Sequence, residues 1–253
     1  KAKNISEILE ELNLLSSSAV FLDDSFTERN RVKESFPDML VPELPSDVSK
    51  WPSILIELSC FDSLTFSEED KERTNIYLDE SKRISEKEKF VSLQSWLNSL
   101  KLVVKIQSLN KENISRSSQL LNKTNQFNLK TRRMSEEDLS NLAKKENVKI
   151  LTFSIEDKYG KSGLTGLISA EYKIDNWEIS DFVMSCRIMG KKIEYAMLNE
   201  IRKTLNTNKP IKMECIPTKK NKPIREFVKE IAPKGFILDS LKKPPHVSIE
   251  ILN

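Results

Sequence analysis

One chemical candidate in the sequence is Cys186, in the run Ser185-Cys186-Arg187-Ile188-Met189-Gly190-Lys191-Lys192. A thiolate, not a thiol, is the nucleophile, and nearby cations or a helix N-terminus favour it. Arg187, Lys191 and Lys192 supply the cations, and a helix is expected after Gly190. A glycine-containing loop opening a helix can also turn free N–H groups toward a pyrophosphate, which makes Arg187 and Gly190 candidates for donor binding. The competing reading of Cys186 is a buried cysteine acting as a small hydrophobe. Packing suits Cys60 and Cys215 better, the first expected in a helix and the second inside a strand. Asp23 and Asp24 are adjacent carboxylates, a pair that is unfavourable without positive charge close by, and Mg²⁺ is the usual answer. Alternatively Asp24 or Ser25 caps the following helix. The stretch from Arg116 to Arg133 is dense in amides, hydroxyls and cations. Its Arg116, Lys123, Asn125, Gln126, Asn128 and Arg132 can meet a phosphate, a pantetheine amide or a carboxylate, or can satisfy a helix end and loop backbone. Asp157 either orients a catalytic group or forms the Asp-Lys-Tyr-Gly turn. The sole histidine, His246, is either a general base or a structural residue.

These residues need elements to position them. Residues 1–66 alternate helix and strand: a helix over Asn4–Leu14, a strand over Ser18–Leu22, a helix over Phe26–Phe36, a strand over Met39–Val41 and a helix over Trp51–Phe61. The continuous apolar run Ala19-Val20-Phe21-Leu22 suits a strand buried on both faces, and Asp23-Asp24 then lie at its carboxyl end, where open α/β sheets place ligands. Alternation of this kind predicts part of a doubly wound α/β domain. Residues 67–99 are charged and helical in pattern, a connector opened by Ser67-Glu68-Glu69-Asp70. From residue 100 the expected order is β-α-α-β-β-β-α-β-α-β-β, with Thr218 and Asn221 ending the strand Ile211–Ile216.

The chain has 253 residues, with 38% hydrophobic and 31% charged, which suits one large or two modest soluble domains. Net charge is +3, so no nucleic-acid signature is present; Lys130-Thr131-Arg132-Arg133 and Lys219-Lys220-Asn221-Lys222 are local basic clusters only. No apolar run reaches the roughly 20 residues of a membrane helix, and no membrane partner is expected. Three widely spaced cysteines fit neither a disulfide framework nor a metal site, which favours a reducing cytoplasm. The first residue is Lys1, so the chain is expected to be a fragment. Few glycines with abundant Lys and Asn suggest an AT-rich bacterial source.

Val20-Phe21-Leu22-Asp23-Asp24-Ser25 with Glu28-Arg29, preceded by Lys1-Ala2-Lys3-Asn4-Ile5, resembles the end of the phosphatase core of FkbH-like proteins, a haloacid-dehalogenase-type domain. The run Asn122-Lys123-Thr124-Asn125-Gln126-Phe127-Asn128-Leu129, closed by Thr131-Arg132-Arg133, is similar to a signature of the same family. The order of elements from residue 100 resembles that of GNAT acyltransferases. The resemblance implies a phosphatase remnant over 1–66, a connector over 67–99 and a GNAT-like domain over 100–253. It gives Lys1 the role of steadying a phosphoryl group, and Asp23 and Asp24 that of holding Mg²⁺. The family's Asp-x-Asp nucleophile has no counterpart here, so no phosphatase activity is expected of this chain alone. The resemblance further implies that Cys186 carries an acyl group from 1,3-bisphosphoglycerate on its way to an acyl carrier protein's phosphopantetheine thiol, in polyketide-type assembly. Arg187-x-x-Gly190-x-Lys192 departs from the small-residue acyl-CoA loop, and Thr218 and Asn221 face the split between adjacent GNAT strands that receives the acyl donor. Two further expectations compete: an N-acyltransferase using CoA, and a non-catalytic docking module for a carrier protein.

Overall fold

A computed structural model describes residues 1–12, 14–62, 73–237 and 241–252; at 73 and 74 only the backbone is described. The expected helix start at Ser67–Asp70 and the expected boundary at 66 lie outside these residues, as does Asn13. The chain divides into two compact units, Lys1–Ile84 and Ser85–Asn253.

The first unit contains α1 (Ala2–Glu11), α2 (Phe26–Ser35) and α3 (Trp51–Glu57), and α4 (Arg73–Lys87) begins in it. Ser25 caps α2 by accepting the Glu28 N–H, and Glu28 adds a negative charge in the first turn. The two strands expected here are nearly absent. Val20 and Leu40 form one parallel bridge, reinforced by the Phe21 N–H to Leu40 carbonyl bond at 3.0 Å. Leu22 and Leu40 stay 42% and 40% exposed, so the apolar run is not buried on both faces. Two strands sharing a single bridge have too few cross-strand bonds to propagate a ladder. Leu9, Val32, Met39 and Val41 make the small core of this unit. Trp51–Phe61, expected as one helix, breaks into α3 and a 3-10 turn over Ser59–Phe61, which leaves Cys60 exposed in that turn.

The second unit follows the expected order from residue 100 closely. After α5 (Leu93–Ser99) come β1 (Leu102–Ser108), α6 (Ile114–Lys123), α7 (Glu136–Ala143), β2 (Val148–Asp157), β3 (Gly160–Lys173) and β4 (Asn176–Met184). Then follow α8 (Ile193–Leu205), β5 (Ile211–Lys212), α9 (Lys222–Ile231), β6 (Phe236–Ile237) and β7 (Val247–Ile251). The seven strands form one mixed sheet in the order β6-β5-β4-β3-β2-β1-β7, parallel only at β4–β5 and β1–β7. Helix α5, expected in a connector, belongs to this unit because Trp96 and Leu97 are buried in its core with Phe153, Ile168 and Phe182. Capping boxes at Ser92 and Ser135 start α5 and α7. No helix among the described residues is long and apolar enough to cross a membrane.

Strand β5 is much shorter than the expected Ile211–Ile216, since it leaves β4 after Lys212. Cys215, expected inside that strand, lies beyond it and is half-buried, with burial pushing its thiol up. The β3–β4 hairpin turns through Ile174, which is 94% exposed with φ 49°. A β-branched residue in the left-handed region is strained. Replacing Ile174 by Gly is therefore expected to stabilise the second unit by about 1 kcal/mol, read as a melting midpoint raised by about 2–4 °C.

Candidate functional site

The strand-end rim around Cys186 is built by β4 and the loop after it. The Ser185 N–H donates to the Thr165 carbonyl at 2.8 Å, ending the strand, and Cys186–Ile188 coil into one 3-10 turn with Ile188 fully buried as its anchor. Gly190 follows at φ 78° with open space around it, so its glycine is required by backbone angle and not by crowding. Lys192 is also left-handed, at φ 57°. Cys186 is half-buried and in no disulfide. Arg187 Nε donates to Ser185 Oγ at 3.3 Å, and the buried Lys191 donates Nζ–H to the Arg187 carbonyl at 3.1 Å. His246 Nε2 lies 2.9 Å from the Lys191 carbonyl. A carbonyl only accepts, so Nε2 carries the proton and His246 clamps the loop.

Strand register brings the three expected catalytic residues to one end of the sheet. Leu102 pairs with Val247, Val103 with Glu156, Asp157 with Gly160, and Gly166 with Met184. Asp157 and His246 therefore lie level at the strand ends, and Cys186 faces the same end of the sheet from further back, since Met184 is level with Phe153. Asp157 is used locally, its Oδ1 accepting the Tyr159 N–H at 3.0 Å, which is the turn-forming alternative.

The expected phosphate cradle at the start of α8 is electrostatically mixed and dominated by acid. A cavity of about 270 Å³ opens there, lined by Gly190, Glu194, Tyr195, Glu226 and Glu230 among others. Tyr195 donates to Glu230 Oε1 at 2.6 Å, and burial holds the Glu194 carboxyl above its usual range.

The segment 116–133 turns inward. Asn128 is buried; its Nδ2 donates to the carbonyls of Leu121 and Thr124 at 3.3 and 3.1 Å, and its Oδ1 accepts the Thr131 N–H at 2.8 Å. Arg133 ends α6 by donating to the carbonyls of Leu121 and Asn122, and donates to Asn125 Oδ1 at 2.8 Å. Arg132 makes a two-pronged ion pair with the buried Asp181, which also accepts from Ser169 Oγ at 2.6 Å. Lys130 pairs with Glu178. Arg116 donates to Gln119 Oε1 at 3.0 Å, Gln126 is half-buried and Lys123 is exposed. The basic cluster 130–133 is thus committed to this chain's own carboxylates and carbonyls, and is not the plain solvated face that such runs usually form.

The divergence of β4 and β5 is filled from the same segment. These strands share only the pair Glu178–Lys212. Beyond it, Asn128 bridges antiparallel to Val183, the Leu129 N–H donates to the Phe182 carbonyl, and the Met184 N–H donates to the Phe127 carbonyl, both at 3.0 Å. On the far side the Ile216 N–H donates to the Leu129 carbonyl at 3.0 Å. Phe127 packs edge-on against Phe182 with ring centroids 5.3 Å apart, and Leu129 is fully buried. Burying each of these side chains stabilises by roughly 1.5–3 kcal/mol. Asn221, fully buried, locks the insert: it accepts the Thr218 N–H at 2.8 Å and donates to the carbonyls of Ile216 and Asn128 at 2.8 and 3.3 Å. Thr218 in turn accepts from the Lys220 and Asn221 N–H groups. The site residues Asn128, Thr218 and Asn221 hold backbone. An extended pantetheine arm of coenzyme A does not fit this filled split.

In the first unit Lys1 Nζ lies 2.5 Å from Asp23 Oδ2, while Asp23 Oδ1 accepts the Ser25 N–H at 2.9 Å. The hydrogen bond from Lys1 holds the Asp23 carboxyl below its usual range, and the same contact raises Lys1. The buried Arg29 donates to the carbonyls of Asp23 and Asp24 at 2.8 and 2.9 Å. A recess of about 740 Å³ opens beside them, lined also by Phe26, Val48 and Trp51. Asp23 already faces an ammonium, and among the described residues no group of three or more His, Cys, Asp or Glu side chains converges. These two carboxylates alone do not make a Mg²⁺ site.

No protein-family model and no curated protein matches this chain.

Several residues that shape these sites escaped sequence reasoning. Arg29 belongs to the run that carries the family resemblance but had no role assigned in it, and it organises the Asp23 loop; Asp181 and Glu178 take up the basic cluster. Glu178 and Asp181 carried one signal: two carboxylates inside an otherwise apolar strand need partners.

Asn221→Ala strands the Thr218 N–H and the two carbonyls, and is expected to cost about 2–3 kcal/mol, measured as a lowered urea midpoint. Glu178 gives a pH dependence. Burial alone raises its carboxyl, but the hydrogen bond and charge of Lys130, aided by Lys173, outweigh that and hold it below the usual 4.5. A depressed folded value stabilises above the unfolded value and is lost as pH falls through the folded one. Urea midpoints at about pH 7 and about pH 3.5 should therefore diverge less in Glu178→Gln than in the native protein.

Proposed function

We propose that this chain is an acyltransferase that moves a small acyl group, glyceryl or phosphoglyceryl, from an acyl phosphate to the phosphopantetheine thiol of an acyl carrier protein. The observation that supports it is the placement of Cys186, half-buried at the carboxyl end of β4 on a loop that also carries Arg187 and Lys191. Cations on the same loop are the kind of surroundings that favour a thiolate, although Arg187 donates to Ser185 Oγ and Lys191 to the Arg187 carbonyl. The sulfur attacks the acyl carbon of a donor such as 1,3-bisphosphoglycerate, a C–S bond forms, and the C–O bond breaks as phosphate leaves with the electron pair. The carrier thiol then attacks the thioester, passing its proton to the departing Cys186 sulfur. Arg187 supplies charge to the departing phosphate, and His246 holds the loop through the Lys191 carbonyl.

The strand and helix order from β1 to β7 accords with a GNAT-like domain, and the FkbH-like resemblance of residues 122–133 supports a carrier-bound product. The first unit fits a haloacid-dehalogenase-type remnant through Lys1, Asp23 and Asp24 only. We further propose a cytoplasmic location, in line with three widely spaced cysteines that form no disulfide.

Intact-protein mass spectrometry after incubation with enzymatically generated 1,3-bisphosphoglycerate tests the proposal. An acyl adduct is expected on the native protein and none on Cys186→Ala, with carrier loading lost in parallel. Loading that survives in Cys186→Ala would remove the covalent role. Carrier binding without adduct or loading would turn the assignment into a docking module.

A further inference from the structure

We infer that the second unit excludes coenzyme A, because Phe127–Leu129 occupies the slot between β4 and residues 213–216, and that the thiol acceptor reaches Cys186 from the strand-end rim instead. The inference rests on the acyl-transfer reading and adds a specificity to it. Two parallel strands that part after a single pair expose an unpaired carbonyl and amide edge on each side. An extended ligand arm rich in amides is the chemistry that such a slot would take. Here the chain has supplied its own arm. The Phe182 carbonyl and Met184 N–H on one wall, and the Ile216 N–H on the other, are all bonded to residues 127 and 129. Asn221 closes the far side from a fully buried position, tying Asn128 to Ile216. Admitting a pantetheine arm along this path would break every one of those bonds and draw Phe127 and Leu129 out of the core.

Charge at the mouth argues the same way. Coenzyme A brings a pyrophosphate and a further phosphate, whereas the cavity beside Gly190 presents Glu194, Glu226 and Glu230. Lys222 offsets Glu226 only in part, at 3.7 Å and well exposed, and the charge of Lys192 opposes that of Glu194. A pantetheine carried on a protein ends in the same thiol but lacks the nucleotide. It can therefore meet Cys186 at the end of β4 without entering the slot.

The test uses desulfo-coenzyme A, which has the nucleotide and the arm but no thiol, so it reads the slot independently of any Cys186 chemistry. Calorimetric titration of the whole chain is paired with NMR-detected hydrogen exchange at the Leu129, Met184 and Ile216 amides. The expected result is a Kd weaker than about 1 mM together with slow exchange at all three amides. Binding in the micromolar range would overturn the inference, whether or not the amides become exposed. Absence of binding with those amides exchanging as fast as an unstructured chain would overturn it too, since the slot would then be open. A missing acyl adduct on Cys186, by contrast, would defeat the acyl-transfer reading and leave this measurement standing.

Discussion

The parting of β4 and β5 is the constraint around which the second unit is arranged. A parallel pair that separates after Glu178–Lys212 leaves backbone groups with no ladder partner inside the protein. Such groups must be satisfied, because an orphaned buried amide or carbonyl costs as much as a lost hydrogen bond. The answer is the short insert Phe127–Leu129, which pairs with β4 on one side and Ile216 on the other. Its requirements then propagate. Asn128 must bond the end of α6 and the turn at Thr131, and Asn221 must sit at the base of α9 to reach the Asn128 carbonyl. One geometric gap thus fixes the positions of two helices and a loop.

That arrangement also explains the charges nearby. Residues 130–133 leave the insert over the face of β4, and β4 carries Glu178 and Asp181 among apolar neighbours. Buried carboxylates are costly alone and tolerable when each meets a cation in good geometry. Lys130 and Arg132 provide those partners, and the fork of Arg132 with Asp181 and Ser169 gives the insert a defined register. The basic run and the acidic strand form one unit of structure. Neither is available to a phosphate while the pairs hold.

Much of this was written plainly in the sequence, and the exceptions share a cause. Strands β1 to β4 announce themselves as apolar runs bounded by Tyr159-Gly160 and Asp175-Asn176, and the helices by spacing and caps. Local signals of that kind depend on near neighbours in the chain. The shortness of β5 does not: it follows from an insert whose locking contact, Asn221 to Asn128, spans 93 residues. Likewise the Asn- and Arg-rich stretch could be read as a ligand loop or as backbone support, and only the fold supplies the Leu121, Thr124 and Asp181 groups that take its side chains. In the first unit the apolar run Ala19–Leu22 has strand character but one bridging residue, because pairing depends on a neighbour that sequence pattern cannot supply.

The rim at Cys186 contrasts with the split in a way that bears on chemistry. At the split the Phe182 carbonyl and the Met184 and Ile216 N–H groups are paired with the insert, which fills the gap. At the rim the chain leaves β4, takes one 3-10 turn, passes through left-handed Gly190 and Lys192, and is steadied by two contacts to backbone carbonyls, from Lys191 and from His246. A loop held at its base and irregular along its length is where a reactive side chain can be presented without burying it. Cys186 stands at the first residue of that loop, where β4 fixes its origin and the cations follow in sequence. The acyl transfer proposed for Cys186 requires both a fixed origin and an open approach. Under that proposal the filled split leaves the strand ends as the side from which a partner comes.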